Sequence, residues 1–339
     1  MQISKHVLSL KDRPAAFESP AGSIMRLGRD QLPILKGLSI RRLVLTAHAI
    51  REPHWHANAN ELGYCVRGQA LVTVVGNHGS RDVFLIGIGE MFFVSSGTVH
   101  AIENTGETEA EFILAFSNED PEDFSLSGAF DVMSDAVLLS TFEWQPQKPP
   151  SFGRLNANTE IFDLQAQPAV EKQALHPNRL KFRVEESAPH VSSPAGSART
   201  AQAPAWSVLD GLSMFSVRIS EIGLREPHWH PETAEMGYVL EGTGQMTVLD
   251  PDGSADTYSI HPGDAYFVPP AYPHHIENTG SGTLHILIFF SRSAPQDIGY
   301  RAAAAGYSRS VIASQLGLSE QALLPLPVDI DDPLIVARL

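Results

Sequence analysis

Short apolar or alternating runs recur along the first half of the chain, at 40–47, 62–66, 70–75, 83–88, 91–94 and 111–116. Gly, Pro, Asn and Ser separate them, and each run is too short for an ordinary helix. Many short strands at close spacing predict an all-β unit, a sandwich or jelly-roll barrel. Two stretches break the pattern. Residues 126–142 and 301–316 read as helical, the second because Arg301 is followed by four alanines, which favour helix. Ser319 with residues 321–324 predicts one further helical turn. Neither helix carries a chemical motif, so covering a barrel edge or packing a partner subunit is the expected role.

The pattern repeats. Adding 174 to a residue number carries the first half onto the second without a gap: Ser19–Ser23 becomes Ser193–Ser197, and Phe116-Ser117 becomes Phe290-Ser291. About a hundred residues keep this register, which marks a duplicated domain. The expected organisation is a first unit at 1–145, a loose connection or exchanged arm at 146–175 introduced by the proline-rich 145–150, and a second unit at 176–339.

The repeat is strictest where the residues are polar. Arg51-Glu52-Pro53-His54-Trp55-His56 recurs letter for letter as Arg225-Glu226-Pro227-His228-Trp229-His230. In a strand, residues i and i+2 face the same way, so each His-x-His aims two imidazoles at one face, while Trp55 and Trp229 point outward. Glu61 and Glu235 follow five positions after the second histidine. That odd offset requires the turns at 57–60 and 231–234 to bring the carboxylate back inward. His100 and His274 each lie 46 positions after the first histidine of their set. His275 could replace His274, but position 101 is alanine, and the repeat selects His274. The remaining histidines, among them His6, His48 and His285, have no counterpart 174 residues away. Three imidazoles and one carboxylate per domain make a site suited to Mn(II), Fe(II), Ni(II) or Zn(II), with open positions for substrate or dioxygen.

Composition narrows the partners. Asp and Glu outnumber Lys and Arg by 39 to 24, for a formal charge of −15. Such a surface repels nucleic acid and anionic membranes, and neither is expected as a partner. The lone cysteine, Cys65, excludes an internal disulfide and reads as a small buried hydrophobe in a reducing compartment. The first 23 residues hold no long apolar run, so the expected location is the cytoplasm.

The residues His54-x-His56-x4-Glu61-x6-Gly68 and Gly89-x5-Ser95-x-Gly97-x2-His100-x3-Asn104 match the two cupin motifs. The second copy matches as well, from His228 to Gly242 and from Gly263 to Asn278. Ser95 stands where the motif usually has proline, and Ala271 where it has glycine. With two complete sets the chain resembles the bicupins of the oxalate decarboxylase and oxalate oxidase group. That resemblance implies two tandem cupin barrels followed by short helices. It also implies one Mn(II) ion per domain, a small carboxylate substrate such as oxalate, dioxygen as a partner, and a homo-oligomer. A storage-type or ligand-sensing bicupin is the non-enzymatic alternative, and a dioxygenase on another substrate the second enzymatic one. Arg51 and Arg225 stand where that group carries the arginine that holds the substrate carboxylate. A guanidinium suits this as a bidentate partner, provided that Pro53 bends the strand to turn Arg51 toward the metal; a salt bridge with Glu52 or Glu226 is the alternative. Gly63 and Gly237, two positions after the ligand glutamates, either leave room beside the metal or permit close backbone packing.

The lid is different. The group carries a Ser-Glu-Asn-Ser stretch whose glutamate supplies a proton; here residues 117–123 read Ser-Asn-Glu-Asp-Pro-Glu-Asp. Glu119, Asp120, Glu122 and Asp123 are the candidate substitutes, with Glu122 as the expected acid. The second lid offers only Asp297, so catalysis is expected in the first domain.

Overall fold

The structure, a computed structural model, describes residues 5–144, 159–165, 170, 172–324 and 333–338. The predicted junction at 145–150 lies outside them, as does part of the predicted arm. The chain divides into two compact units, one of residues 12–31 and 39–183, the other of residues 1–11, 32–38 and 184–339.

This division departs from boundaries at 145 and 175. Strand Val7–Ser9 pairs with Tyr266, Ala265 and Asp264, which puts the N-terminal residues in the second unit. Lys181–Phe182 pairs with Phe92 and Met91, which keeps residues 176–183 with the first. Each segment covers a strand edge whose backbone groups would otherwise be left unpaired. Pairings of two or three residues leave no periodic trace in a sequence.

Each unit is a pair of antiparallel sheets. In the first unit one sheet runs, in order, Lys181–Phe182, Met91–Val94, Glu61–Arg67, Ala110–Phe116, Ser39–Leu45, Gly22–Leu27 and Phe17–Ser19. The other runs Asp123–Ser125, Ala49–His56, Val99–Asn104, Gln69–Val75 and Arg81–Gly87. The second unit repeats this arrangement. There the core lies between the sheets: Val239, Ile286, Ile288 and Tyr266 of one meet Met246, Val248, Ile260 and Ile276 of the other. All six runs predicted in the first half are strands, within two residues at each end. The predicted helices are each broken in two, Leu126–Asp131 with Asp135–Thr141 and Tyr300–Ala305 with Arg309–Gln315. Ser134 and Ser308 cap the second member of each pair by accepting from Val137 and Val311. The predicted turn after Ser319 forms, with Leu323 N donating to the Ser319 carbonyl. No helix among the described residues is long and apolar enough to cross a membrane.

Buried polar residues of the repeat hold the loops. The Asn104 amide donates to the carbonyls of Leu45, Thr46 and Thr108, while its oxygen accepts from Gly106 N. Asn278 does the same toward Ile219, Gly282 and Gly280. Cys65 is buried, and burial pushes its thiol up to about 12, so it packs as a hydrophobe.

One buried group makes the second unit acid-sensitive. His285 is 5% exposed at the side chain, 2.9 Å from Ser216 Oγ, and Ser216 donates to Glu185. Burial, helped by Arg218, pushes His285 down to about 4, and Glu185 is also lowered. Between about 6.5 and 4 the unfolded chain binds a proton that the folded chain refuses, so stability falls as pH falls. The expected loss is on the order of 3 kcal/mol over that window. Thermal melts from pH 7 to 4.5 check this; His285→Gln should flatten the slope, and coinciding slopes would refute the assignment.

Candidate metal centres

The two histidine sets are assembled by the same strand pair in each unit. Ala49–His56 runs antiparallel to Val99–Asn104, and His54 sits opposite His100. In the second unit His228 sits opposite His274. His56 and His230, two residues on, face the same way. The turn after them is tied down by Asn60, whose side-chain oxygen accepts from Ser96 N at 2.8 Å and whose backbone N–H donates to Ser117 Oγ at 2.9 Å. Glu61 and Glu235 then open the next strand with the carboxylate inward, as the odd offset required. All eight residues are buried, and the four ligand atoms of each set lie within 4.8 Å of one another. His275 is not among them; it lies 3.6 Å from Glu277 instead.

The outer nitrogens of these histidines are all engaged. His54 Nδ1 donates to Glu52 O at 2.7 Å, His100 Nδ1 to Thr98 O at 3.0 Å and His56 Nδ1 to Asp123 Oδ1 at 2.7 Å. His228, His274 and His230 do likewise toward Glu226 O, Tyr272 O and Gln296 O. These acceptors carry no proton, so each imidazole keeps its hydrogen on Nδ1 and turns the Nε2 lone pair inward. This is how metal-binding histidines are oriented. His56 Nε2 and His100 Nε2 lie 2.8 and 3.1 Å from Glu61 Oε2. Glu61 Oε1 and His228 Nε2 are buried with no hydrogen-bond partner among the described residues. Convergent lone pairs and a buried carboxylate fit a divalent cation and little else.

Electrostatics agree. Burial, then Arg51, His100 and His56, holds His54 far below the usual imidazole range, and burial with Arg225 and His274 pushes His228 down to about 3. Burial also opposes charge on His230, but the adjacent carboxylates of Asp297 and Glu235 outweigh it and push it up to about 9. Glu61 stays ionised despite burial because His100 and His56 face it. The cage is therefore poised to exchange a proton for a cation.

The arginines turn inward by a bulge. Between His100 and Ile102 the partner strand advances from His54 to Arg51, three residues against two. The extra residue places Arg51 on the cage side of the strand, and the second unit has the same irregularity between Arg225 and His228. Arg51 is 4% exposed, so its pairing with Glu52, the expected alternative, is made in the interior and not on the surface. Its guanidinium donates to Glu160 O and Asp123 Oδ2, both at 3.2 Å, and lies 3.6 Å from Glu52. Arg225 donates to Leu334 O at 3.2 Å and Asp297 at 2.6 Å.

Asp123 and Asp297 are the residues that sequence reasoning undervalued. Strand Asp123–Ser125 pairs with the histidine strand, Asp123 opposite His56. Its carboxylate joins His56, Arg51 and Arg41, the last at 2.6 Å, and His56 and Arg41 hold it well below the usual range although partial desolvation opposes this. The side chain of Glu122, the expected acid, is exposed; only its backbone is fixed, by Asn58 and Ala57. The lid carboxylate that reaches the centre is Asp123, because neighbouring residues of an extended segment face opposite ways. The signal was present, since positions 123 and 297 are 174 apart and both carry aspartate.

The glycines after the ligand glutamates serve packing. A Cβ at Gly63 would lie 2.2 Å from the Phe92 ring, and one at Gly237 would lie 2.1 Å from the Tyr266 ring. Trp55 and Trp229 point away from the cages, where Trp55 stacks on the half-exposed Phe124 and Trp229 meets Tyr300 edge-on.

Known proteins resemble this chain in sequence and fold. Oxalate decarboxylase OxdC of Bacillus subtilis is 29% identical over 287 residues, covering 79% of this chain and 71% of that one. A probable oxalate decarboxylase of Arthroderma benhamiae is 26% identical, covering 73% of this chain and 63% of the fungal one. A structure concerned with the Mn(II) centres of the Bacillus subtilis oxalate decarboxylase superposes with a TM-score of 0.87 at 26% identity, covering all of this chain and 90% of that one. The cupin family model matches residues 8–149 and 182–322, one match in each half. The chain belongs to the cupin family and carries its domain twice.

Proposed function

We propose that this protein is a Mn(II)-dependent enzyme that cleaves the carbon–carbon bond of oxalate or a similar small carboxylate, with the N-terminal centre as the reacting one. The observation that carries the reading is a buried three-histidine, one-glutamate cage with a buried arginine turned toward it by a strand bulge. The relatives named for oxalate decarboxylation and for Mn(II) centres supply the substrate and the metal. His54, His56, Glu61 and His100 would hold the ion, and His228, His230, Glu235 and His274 a second one. The ion, with dioxygen, supplies one-electron oxidation of a bound carboxylate.

The chain's own residues do the rest. Arg51 receives one carboxylate of the substrate as a bidentate partner, which requires Asp123 to give up its contact with Arg51. Arg41, 7% exposed and already bridging both oxygens of Asp123, keeps that carboxylate paired when it leaves. Phe116 against His56 walls the centre with apolar surface. Oxalate plus one proton gives formate and carbon dioxide, so decarboxylation needs an acid. Asp123, held ionised, is a poor one; Glu122, exposed on the lid segment, is the carboxyl that would deliver the proton when that segment turns inward.

A second reading rests on that same exposure of Glu122. Without proton delivery the oxidised substrate gives up its second electron, and oxalic acid with dioxygen yields two carbon dioxide and hydrogen peroxide. Loading with Mn(II), adding oxalate and measuring formate against peroxide separates the two. Formate in excess, falling about 10²-fold in Glu122→Gln while peroxide rises, supports the decarboxylase reading. Peroxide as the main product supports the oxidase, and neither product from Mn-replete protein rejects both. For a storage role, an intact cage in both units has no use.

A further inference from the structure

The two cages match ligand for ligand but differ in what touches the glutamate. In the C-terminal unit the Tyr266 hydroxyl donates to Glu235 Oε1 at 2.7 Å, with both side chains buried. Gly237 makes this possible, because the tyrosine ring occupies the space that a Cβ would fill. The same position in the N-terminal unit is Phe92, seated over Gly63 in the same way and unable to donate. Glu61 Oε1 is correspondingly buried without a hydrogen-bond partner among the described residues.

We propose that Tyr266 is a positioning residue that fixes Glu235 as a one-oxygen ligand, making the C-terminal centre the tighter and more rigid, while Phe92 leaves Glu61 free to offer one oxygen or two. A carboxylate whose second oxygen accepts a strong buried hydrogen bond cannot rotate to present it to a metal without losing that bond. It is also preorganised, since its torsion is set before the ion arrives, and partners of this kind typically contribute 10–100-fold to metal affinity. Glu61 has no such restraint. Its second oxygen would stay available to an ion held by this cage, so Glu61 would adapt where Glu235 would not. This rests on the metal reading above, but not on oxalate as the substrate.

Two single-centre proteins test it. His100→Ala disables the N-terminal cage, so that Mn(II) affinity by chelator competition and the Mn(II) electron paramagnetic resonance spectrum report the C-terminal centre alone. In that background Tyr266→Phe should weaken Mn(II) binding about tenfold and change the fine structure of the signal. Unchanged affinity and an unchanged spectrum would overturn the proposal. In the His274→Ala background, Phe92→Tyr supplies the missing donor and should tighten the N-terminal centre and move its spectrum toward that of the C-terminal one. If Phe92→Tyr fails to fold, the Tyr266→Phe pair decides alone. Should the cages prefer another divalent ion, the Mn(II) reading fails, while the effect of Tyr266→Phe measured with that ion still decides this one.

Discussion

His100→Ala is expected to lower bound manganese from two ions per chain to one and to abolish oxalate turnover. His100 is 1% exposed and contributes one of the four ligand atoms gathered within 4.8 Å. Alanine leaves three ligands and a void that water enters, and Mn(II) affinity there should fall by at least about 100-fold, more than for loss of a residue that merely supports a ligand. The fold should survive, because His100 pairs through its backbone with His54 and Val74, which alanine preserves. Metal analysis after gel filtration and an oxalate assay check both parts. His274→Ala should also retain one ion but keep turnover, if the N-terminal centre reacts. The opposite pattern, turnover lost in His274→Ala and kept in His100→Ala, would move catalysis to the C-terminal centre. Chelation should remove both ions and lower the melting temperature, since ligand at 1,000 times its Kd stabilises the folded state by about 4 kcal/mol.

Most of the centre was legible in the sequence because its chemistry is local and duplicated. His54, His56 and Glu61 fall within eight positions, and their spacing carries the strand and turn that aim them. The apolar runs located the strands of the core, but not Ala49–His56 or Val99–Asn104, where the inward positions are histidines and the hydrophobic pattern is inverted. Non-local contacts were out of reach. Nothing in the spacing says that Val7–Ser9 pairs with Tyr266, or that Arg41 and Arg51 meet at Asp123. Glu122 and Asp123 were equally acidic on paper. Only the pairing of Asp123 with His56, which fixes the alternation, decides which of the two faces the cage. The repeat likewise aligned Phe92 with Tyr266 without showing that one hydroxyl separates the two glutamates.

Arg51→Lys is expected to raise KM for oxalate and to lower kcat/KM by roughly 30- to 5,000-fold, the 2–5 kcal/mol that disrupting a buried charged pair costs. Lysine keeps the charge but not the planar fork, so it loses the bidentate grip on a carboxylate. Manganese content should stay at two ions per chain, because Arg51 is not a ligand; a loss of metal would mean that it acts on the cage and not on the substrate. The contact between Arg51 and Asp123 gives a companion prediction of opposite sign. The guanidinium is 3.2 Å from Asp123 Oδ2, and oxalate held by Arg51 as proposed would have to displace that carboxylate. Asp123→Asn retains an oxygen to accept from His56 Nδ1 and leaves the imidazole oriented, but it holds Arg51 by a neutral hydrogen bond. The difference between charged and neutral acceptors is about 1 kcal/mol, so KM should fall about fivefold. If KM is unchanged or rises in Asp123→Asn, oxalate does not compete for Arg51, and the substrate carboxylate binds elsewhere on the centre.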